Sequence, residues 1–329
     1  MSRIRIAFRT DASTEQLRLI RQMGATDAVT GRPAGDEGPV WTLESILRVQ
    51  ERIESFGLTL SVIELIPIPD RVKLGLPDRD EDIDHFCQSI RNLGRAGVPI
   101  LAYNWMAGMT WFRTSVATPV RGGALSTAYD HQQMLALPAS ELGAVAEEQL
   151  WAGLEYFLRV VMPVAEESNV RLAVHPDDPP VSPVRGVGRI LTSPAAMQRV
   201  VDLVPSTANG LTFCQGCFCE MGADVPENIH RFGRQGKIFF AHFRNLRGVA
   251  TNFVETFHDD GQLDMFTAMK AYYDVGFDGP IRPDHAPTME GESNDHPGYA
   301  LKGRMLAVGY MRGLLEAIEK SDPRRDTVS

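Results

Sequence analysis

Arg171-Leu-Ala-Val-His175, followed at once by Pro176-Asp-Asp-Pro-Pro180, is the stretch whose reading decides the fold. An apolar run that ends on a histidine, and then prolines that cannot donate to a ladder, predict a short strand stopping abruptly in a loop. Upstream lies a long amphipathic stretch, 140–168, with Ser140 as its candidate N-cap and Pro163 as a kink near its end. A helix over 194–203 follows. The same unit recurs in both directions. Strands are predicted at 4–8, 27–30, 59–64 and 98–104 before it, and at 210–214, 238–244 and 279–284 after it. Helices are predicted at 14–23, 42–56, 82–96, 225–232, 263–275 and 300–319. The polar stretch 106–137 reads as a long loop over one face, with room for a short helix, and 245–261 reads as another loop. Eight strands separated mostly by helices predict an α/β fold, a (β/α)8 TIM barrel. A doubly wound open sheet would want Gly-x-Gly-x-x-Gly after the first strand, which here continues Phe8-Arg9-Thr10-Asp11. Without an internal repeat or a Gly/Ser-rich linker, residues 1–320 read as one domain and 321–329 as a loose, charged tail.

The totals narrow the function. A content of 43% hydrophobic and 23% charged residues excludes disorder. The net charge of −9 excludes a general nucleic-acid binder, which needs a basic face. An anionic substrate must then be drawn in by a local metal or arginine cluster. Of 4 cysteines, Cys214, Cys217 and Cys219 crowd together, a poor disulfide framework that predicts a reducing compartment. The N-terminal residues lack an apolar leader core, and no apolar run reaches the length of a membrane span. The expectation is a cytoplasmic protein whose partner is a small molecule, not a nucleic acid or a membrane; self-association into a homo-oligomer stays open.

In a parallel barrel the chemistry gathers at the C-terminal ends of the strands. The fifth strand ends at His175, the sixth at Cys214, the seventh carries His242 near its end, and the eighth ends at Asp284. Any one of them is more often a packing or capping residue than a ligand. Four consecutive strand ends with ligand chemistry, one per strand-helix unit, predict a metal site. Two imidazoles, a thiolate and a carboxylate suit zinc, iron(II), cobalt or manganese. Arg244 and Arg282 stand two residues from His242 and Asp284, and Arg244 is the candidate to hold a substrate carboxylate in two-pronged fashion. Glu64 ends the third strand as a rim base or an arginine's partner. His285, Tyr299 and His258 are acid-base candidates, while Asp178 and His296 read as solvated loop residues.

Several of these motifs resemble the mannonate dehydratase family. They are His175-Pro-Asp-Asp-Pro-Pro180, Ala208-Asn-Gly-Leu-Thr-Phe-Cys214, His242-Phe-Arg244, Phe257-His258, Arg282-Pro-Asp-His285 and Pro297-Gly-Tyr299. Tyr103-Asn-Trp-Met106 and Ser61-Val-Ile-Glu64 are similar to segments nearer the N-terminus of that family. The resemblance implies a xylose-isomerase-like barrel and a manganese-dependent loss of water from D-mannonate, or a related aldonate, to give a 2-keto-3-deoxy acid in hexuronate degradation. It implies His175, Cys214, His242 and Asp284 as metal ligands and His285 and Tyr299, beside Asp284, as catalytic groups. Arg244, Asn104, Glu64, His258 and Arg282 are then the residues expected to face substrate. On this reading Tyr299 as phenolate, or hydroxide at the metal, takes the proton beside the carboxylate, and His285 protonates the departing hydroxyl. Two other readings stay open: a metal-dependent sugar isomerase or epimerase on the same barrel, and a non-catalytic barrel that binds sugar or metal. The pattern departs from the family where Gln-Gly-Cys-Phe-Cys, rather than Thr-Gly-Ser-Tyr-Gly, follows Cys214.

Overall fold

A computed structural model describes residues 4–33, 38–64 and 66–323. The first half of the chain runs β1 (Arg5–Arg9), α1 (Thr14–Met23), β2 (Asp27–Thr30), α2 (Leu43–Glu54), β3 (Thr59–Glu64), α3 (Asp70–Lys73), α4 (Arg79–Ala96) and β4 (Ile100–Asn104). Next come β5 (Ser115–Pro119), β6 (Leu125–Asp130), α5 (His131–Leu135), α6 (Glu147–Glu167), β7 (Arg171–His175), α7 (Pro194–Leu203), β8 (Asn209–Cys214) and α8 (Gln215–Glu220). The chain finishes with α9 (Val225–Arg234), β9 (Ile238–Phe243), β10 (Leu246–Val249), β11 (Asn252–Glu255), α10 (Met265–Asp274), β12 (Pro280–Pro283) and α11 (Leu301–Ser321).

The eight predicted strands close into a parallel barrel in the order β1-β12-β9-β8-β7-β4-β3-β2. Its interior is a packed plug of Ala7, Val29, Val62, Ile100, Ala102, Ala173, Phe239 and Phe240. Small and large side chains alternate there because converging strands leave room for only one bulky group per level. Gly210 makes room for the largest of them, since a Cβ at that position would lie 2.4 Å from the Phe239 ring. The main core lies outside, between barrel and helices. Side-chain caps start α1 at Ser13, α2 at Thr42, α7 at Ser193, α9 at Asp224 and α10 at Asp264. Among the described residues no helix is long and apolar enough to cross a membrane.

Four predicted elements differ from the structure. The helix placed at 140–168 begins at Glu147, and Ser140 does not cap it. The backbone before it hydrogen-bonds instead to the neighbouring loop, Ser140 N–H to Arg185 O and Val145 N–H to Gly186 O. Pro163 sits inside α6 without ending it. The loop read at 106–137 does hold a short helix, α5, but also β5 and β6. These join β10 and β11, from the stretch read as the second loop, in an antiparallel sheet of order β10-β11-β6-β5. The residues read as a tail begin inside α11, which runs to Ser321, while 324–329 lie outside the described residues.

Candidate metal and acid-base site

Strand register brings the predicted ligands to one level. Cys214 pairs with His242 across β8 and β9, Arg282 with His242 across β12 and β9, and Asn104 with His175 across β4 and β7. The rim they form floors a chamber of about 160 Å³, lined by Arg9, Glu64, His175, His242, His285 and Tyr299 among others.

The donor atoms of Cys214, His242 and Asp284 all lie within 4.8 Å of one another, and those of His175, Cys214 and Cys217 do likewise. Asp284 Oδ2 is 3.9 Å from Cys214 Sγ and 3.5 Å from His242 Nδ1. The other carboxylate oxygen is held away by Arg282 Nη1 at 2.8 Å, which leaves Oδ2 facing the cluster. His175 Nδ1 lies 2.7 Å from Pro176 O; a carbonyl only accepts, so Nδ1 donates to it and Nε2 is the ring nitrogen left for a ligand. His242 Nε2 is 2.9 Å from Glu64 Oε1, a carboxylate behind the ring of the kind that orients metal-bound imidazoles. The cluster's electrostatics call for a cation. Against burial and Arg282, the carboxylates of Asp284 and Glu64 raise His242 to about 10. Against burial, contacts with Cys217, His175 and His242 hold the Cys214 thiol well below its usual range. Two imidazoles, a thiol held low and a carboxylate, in two clusters that share Cys214, are a donor set whose chemistry fits a divalent ion.

His285 forms a second centre. Its Nδ1 lies 2.6 Å from Glu255 Oε1, so it donates to that carboxylate, and Nε2 faces the Tyr299 hydroxyl at 3.1 Å. Burial and the neighbouring Asp284 push the Tyr299 phenol above its ordinary range. That overturns the expectation of a phenolate base. The phenol keeps its proton in that setting, with its hydroxyl facing His285 Nε2.

Arg244 is the main correction. It was expected to hold a substrate carboxylate, yet it is fully buried and absent from the chamber wall. Its guanidinium donates to Glu255 Oε2 at 3.0 Å, to Asp178 Oδ2 at 2.9 Å and to Glu220 Oε1. Arg113 meets Asp178 and Glu255 from the other side, each at 2.6 Å. Burial pushes Glu220 well above the usual carboxylate range. Asp178 and Glu255 stay ionised, because their arginines outweigh burial and hold each at about 2. Two carboxylates therefore balance two guanidiniums. Asp178, read as solvated, is 3% exposed and central to this network. Arg282 lines the chamber, but its donors are committed to Glu64 and Asp284. Glu64 is correspondingly a support for Arg282 and His242. Asn104 lines the chamber, with Oδ1 accepting from Met106 N–H. Sequence reasoning missed Arg113, Glu220, Glu255 and Trp111; nothing local marks them, since each acts through a contact far along the chain.

His258 faces away from the chamber. Its ring stacks on Phe243, and its Nε2 donates to Phe243 O at 2.7 Å. Burial pulls its pKa down to about 4. The unfolded chain therefore binds a proton that the folded chain refuses between about pH 6.5 and pH 4. The stability tied to His258 is complete above that window and is lost as pH falls through it, about 3 kcal/mol in all. We expect denaturant melts to show this loss between pH 7 and pH 4. His258→Gln, which can keep a donor to Phe243 O but does not titrate, should flatten that part of the slope; an unchanged slope would assign it to other groups.

The D-mannonate dehydratase family model matches residues 3–144 and 138–325. The mannonate dehydratase of Thermotoga petrophila is 38% identical over 94% of this chain and 96% of its own length. Mannonate dehydratase 2 of Halalkalibacterium halodurans is 37% identical over 85% of this chain and 89% of its own. The crystal structure of mannonate dehydratase from Streptococcus suis superposes with a TM-score of 0.91 at 34% identity, covering 98% of this chain and 95% of that one. An L-ribulose 3-epimerase at 15% identity and a TM-score of 0.62 shares the fold.

Proposed function

We propose, for a chain that belongs to the D-mannonate dehydratase family, that the rim site removes water from D-mannonate or a related aldonate to give a 2-keto-3-deoxy acid. Membership makes the chain a hydro-lyase. A divalent ion held by His175, Cys214, His242 and Asp284, manganese by family resemblance though the thiolate also admits iron(II), cobalt or zinc, would supply a Lewis acid for substrate oxygens.

The protein's own residues then divide the proton work. Glu255 fixes the His285 tautomer, so that Nε2 is the atom that takes the proton from the carbon beside the carboxylate. The Tyr299 hydroxyl, 3.1 Å away, donates to the departing hydroxyl and recovers its proton from the imidazolium, so water leaves and both side chains return to their starting states. Asn104 offers its amide to substrate hydroxyls. Trp111, its ring 5.2 Å from that of His285, keeps water from the transferred proton. The observation that carries this reading is the His285–Tyr299 pair on the wall of the same chamber as His175, His242 and Asp284, three of the four proposed metal donors. The isomerase or epimerase reading is not favoured, since its relatives share the fold alone, and a mute binding barrel would have no need of an oriented His285.

The test is turnover of an aldonate panel, D-mannonate included, by chelated and manganese-reloaded protein, with 2-keto-3-deoxy acid followed as product. We expect chelation to abolish product and manganese to restore it. Metal-loaded protein that yields no 2-keto-3-deoxy acid from any aldonate would defeat the reading.

A further inference from the structure

Resting on the dehydratase reading, we propose that Arg9, at the neck between two cavities, is the group that receives the carboxylate of the sugar acid. An aldonate carries one obligatory anion, and the two arginines expected to meet it are already neutralised: Arg244 by Asp178 and Glu255, and Arg282 by Glu64 and Asp284. Arg9 is the other arginine on the chamber wall. Its nearest carboxylate, Glu64, lies 3.6 Å from Nε and is already held by Arg282 at 2.6 Å. No hydrogen bond to the Arg9 side chain is formed among the described residues, and that side chain is 37% exposed. Its backbone, by contrast, is fixed. Arg9 ends β1, and its carbonyl accepts from Arg304 Nη1 at 3.1 Å. The guanidinium sits over the Tyr299 ring, 5.3 Å from the centroid, within reach of the proposed proton donor. A planar guanidinium with its outer edge free is the geometry that takes a carboxylate in two parallel hydrogen bonds.

The surroundings favour an anion arriving at this neck. Arg9, Trp111 and Tyr299 line both the inner chamber and an outer vestibule of about 870 Å³. Among the described residues the vestibule is lined by five arginines, Arg9, Arg32, Arg48, Arg52 and Arg304, against Asp11 and Asp295. In a chain of net charge −9 this is a local reversal of sign across an approach to the chamber. Burial first, and then the neighbouring Arg282 and Arg9, pull the Arg304 guanidinium down to about 10.

The experiment compares manganese-loaded wild type, Arg9→Lys and Arg9→Ala. Binding of D-mannonate and of D-mannitol, which keeps the hydroxyls and lacks the carboxylate, is read by calorimetry in a His285→Asn background to suppress turnover. KM and kcat for D-mannonate are read with His285 intact. We expect Arg9→Ala to lose the preference for mannonate over mannitol and to raise KM by about 10- to 100-fold, with kcat changed less than about threefold. Arg9→Lys should recover part of the preference. Melting temperature and manganese content should match wild type, because Arg9 is not among the metal donors. A folded, manganese-loaded Arg9→Ala protein that still prefers mannonate would overturn the proposal, and so would a wild type that binds both alike. If wild type turns over no aldonate, the dehydratase reading fails, while the binding comparison still decides the role of Arg9.

Discussion

Arg244→Met should destabilise the folded barrel by about 3–5 kcal/mol, the range for removing one partner of a buried ion pair. In the native network Arg113 and Arg244 face Asp178 and Glu255, with Glu220 held neutral by burial. Without Arg244, two ionised carboxylates share Arg113 as their one remaining guanidinium in a buried region. One of them must take up a proton or draw water inward, and either disturbs Glu255, on which the orientation of His285 depends. The measurement is denaturant unfolding beside KM and kcat on the same preparation. An arginine acting only as substrate anchor would show native stability and a raised KM. The network predicts instead a large stability loss, with a fall in kcat that extra substrate does not repair. Gly216→Ala offers an independent check, since a Cβ there would lie 2.5 Å from Arg244 Cδ and would push the guanidinium off its carboxylates. Native stability in both variants would show that the network does not hold the fold.

The mistaken expectation for Arg244 and the convergence of the strand-end residues have the same root. His175, Cys214 and His242 were legible because each closes an apolar strand, and parallel pairing forces consecutive strand ends to one level. The period-two argument that aimed Arg244 beside His242 needs the strand to continue, and β9 ends at Phe243. Beyond that point the direction of Arg244 is set by three carboxylates from separate parts of the chain. Asp178 lies in the loop after β7, Glu220 in α8, and Glu255 at the end of β11. No local pattern announces such a meeting. β5 and β6 escaped for a related reason. Their apolar alternation is weak because β5 is largely exposed, Val116 at 47%, and Tyr129 is the residue of these two strands that joins the main core. That sheet is also what carries Glu255 to His285. What sequence could not supply was thus the support behind the chemistry rather than the barrel or the strand-end donors.

That support gives the last and largest effect. His285→Asn should lower turnover by about 10²- to 10⁴-fold, the usual scale of one positioned acid-base group, while manganese content stays at the wild-type level. His285 is not among the clustered metal donors, so loss of metal with the variant would mean that the ring holds the site together rather than moves a proton. Asparagine can still donate to Glu255 but has no basic nitrogen to face Tyr299, so the network is kept and only the proton acceptor is removed. Tyr299→Phe should cost less, because it removes the donor and leaves Nε2 in place. Added imidazole should restore part of the turnover of His285→Asn, as the inner chamber and the 870 Å³ vestibule meet at Tyr299. Turnover undiminished in His285→Asn would take the imidazole out of the mechanism, and the proton would then have to pass to a group on the metal side of the chamber.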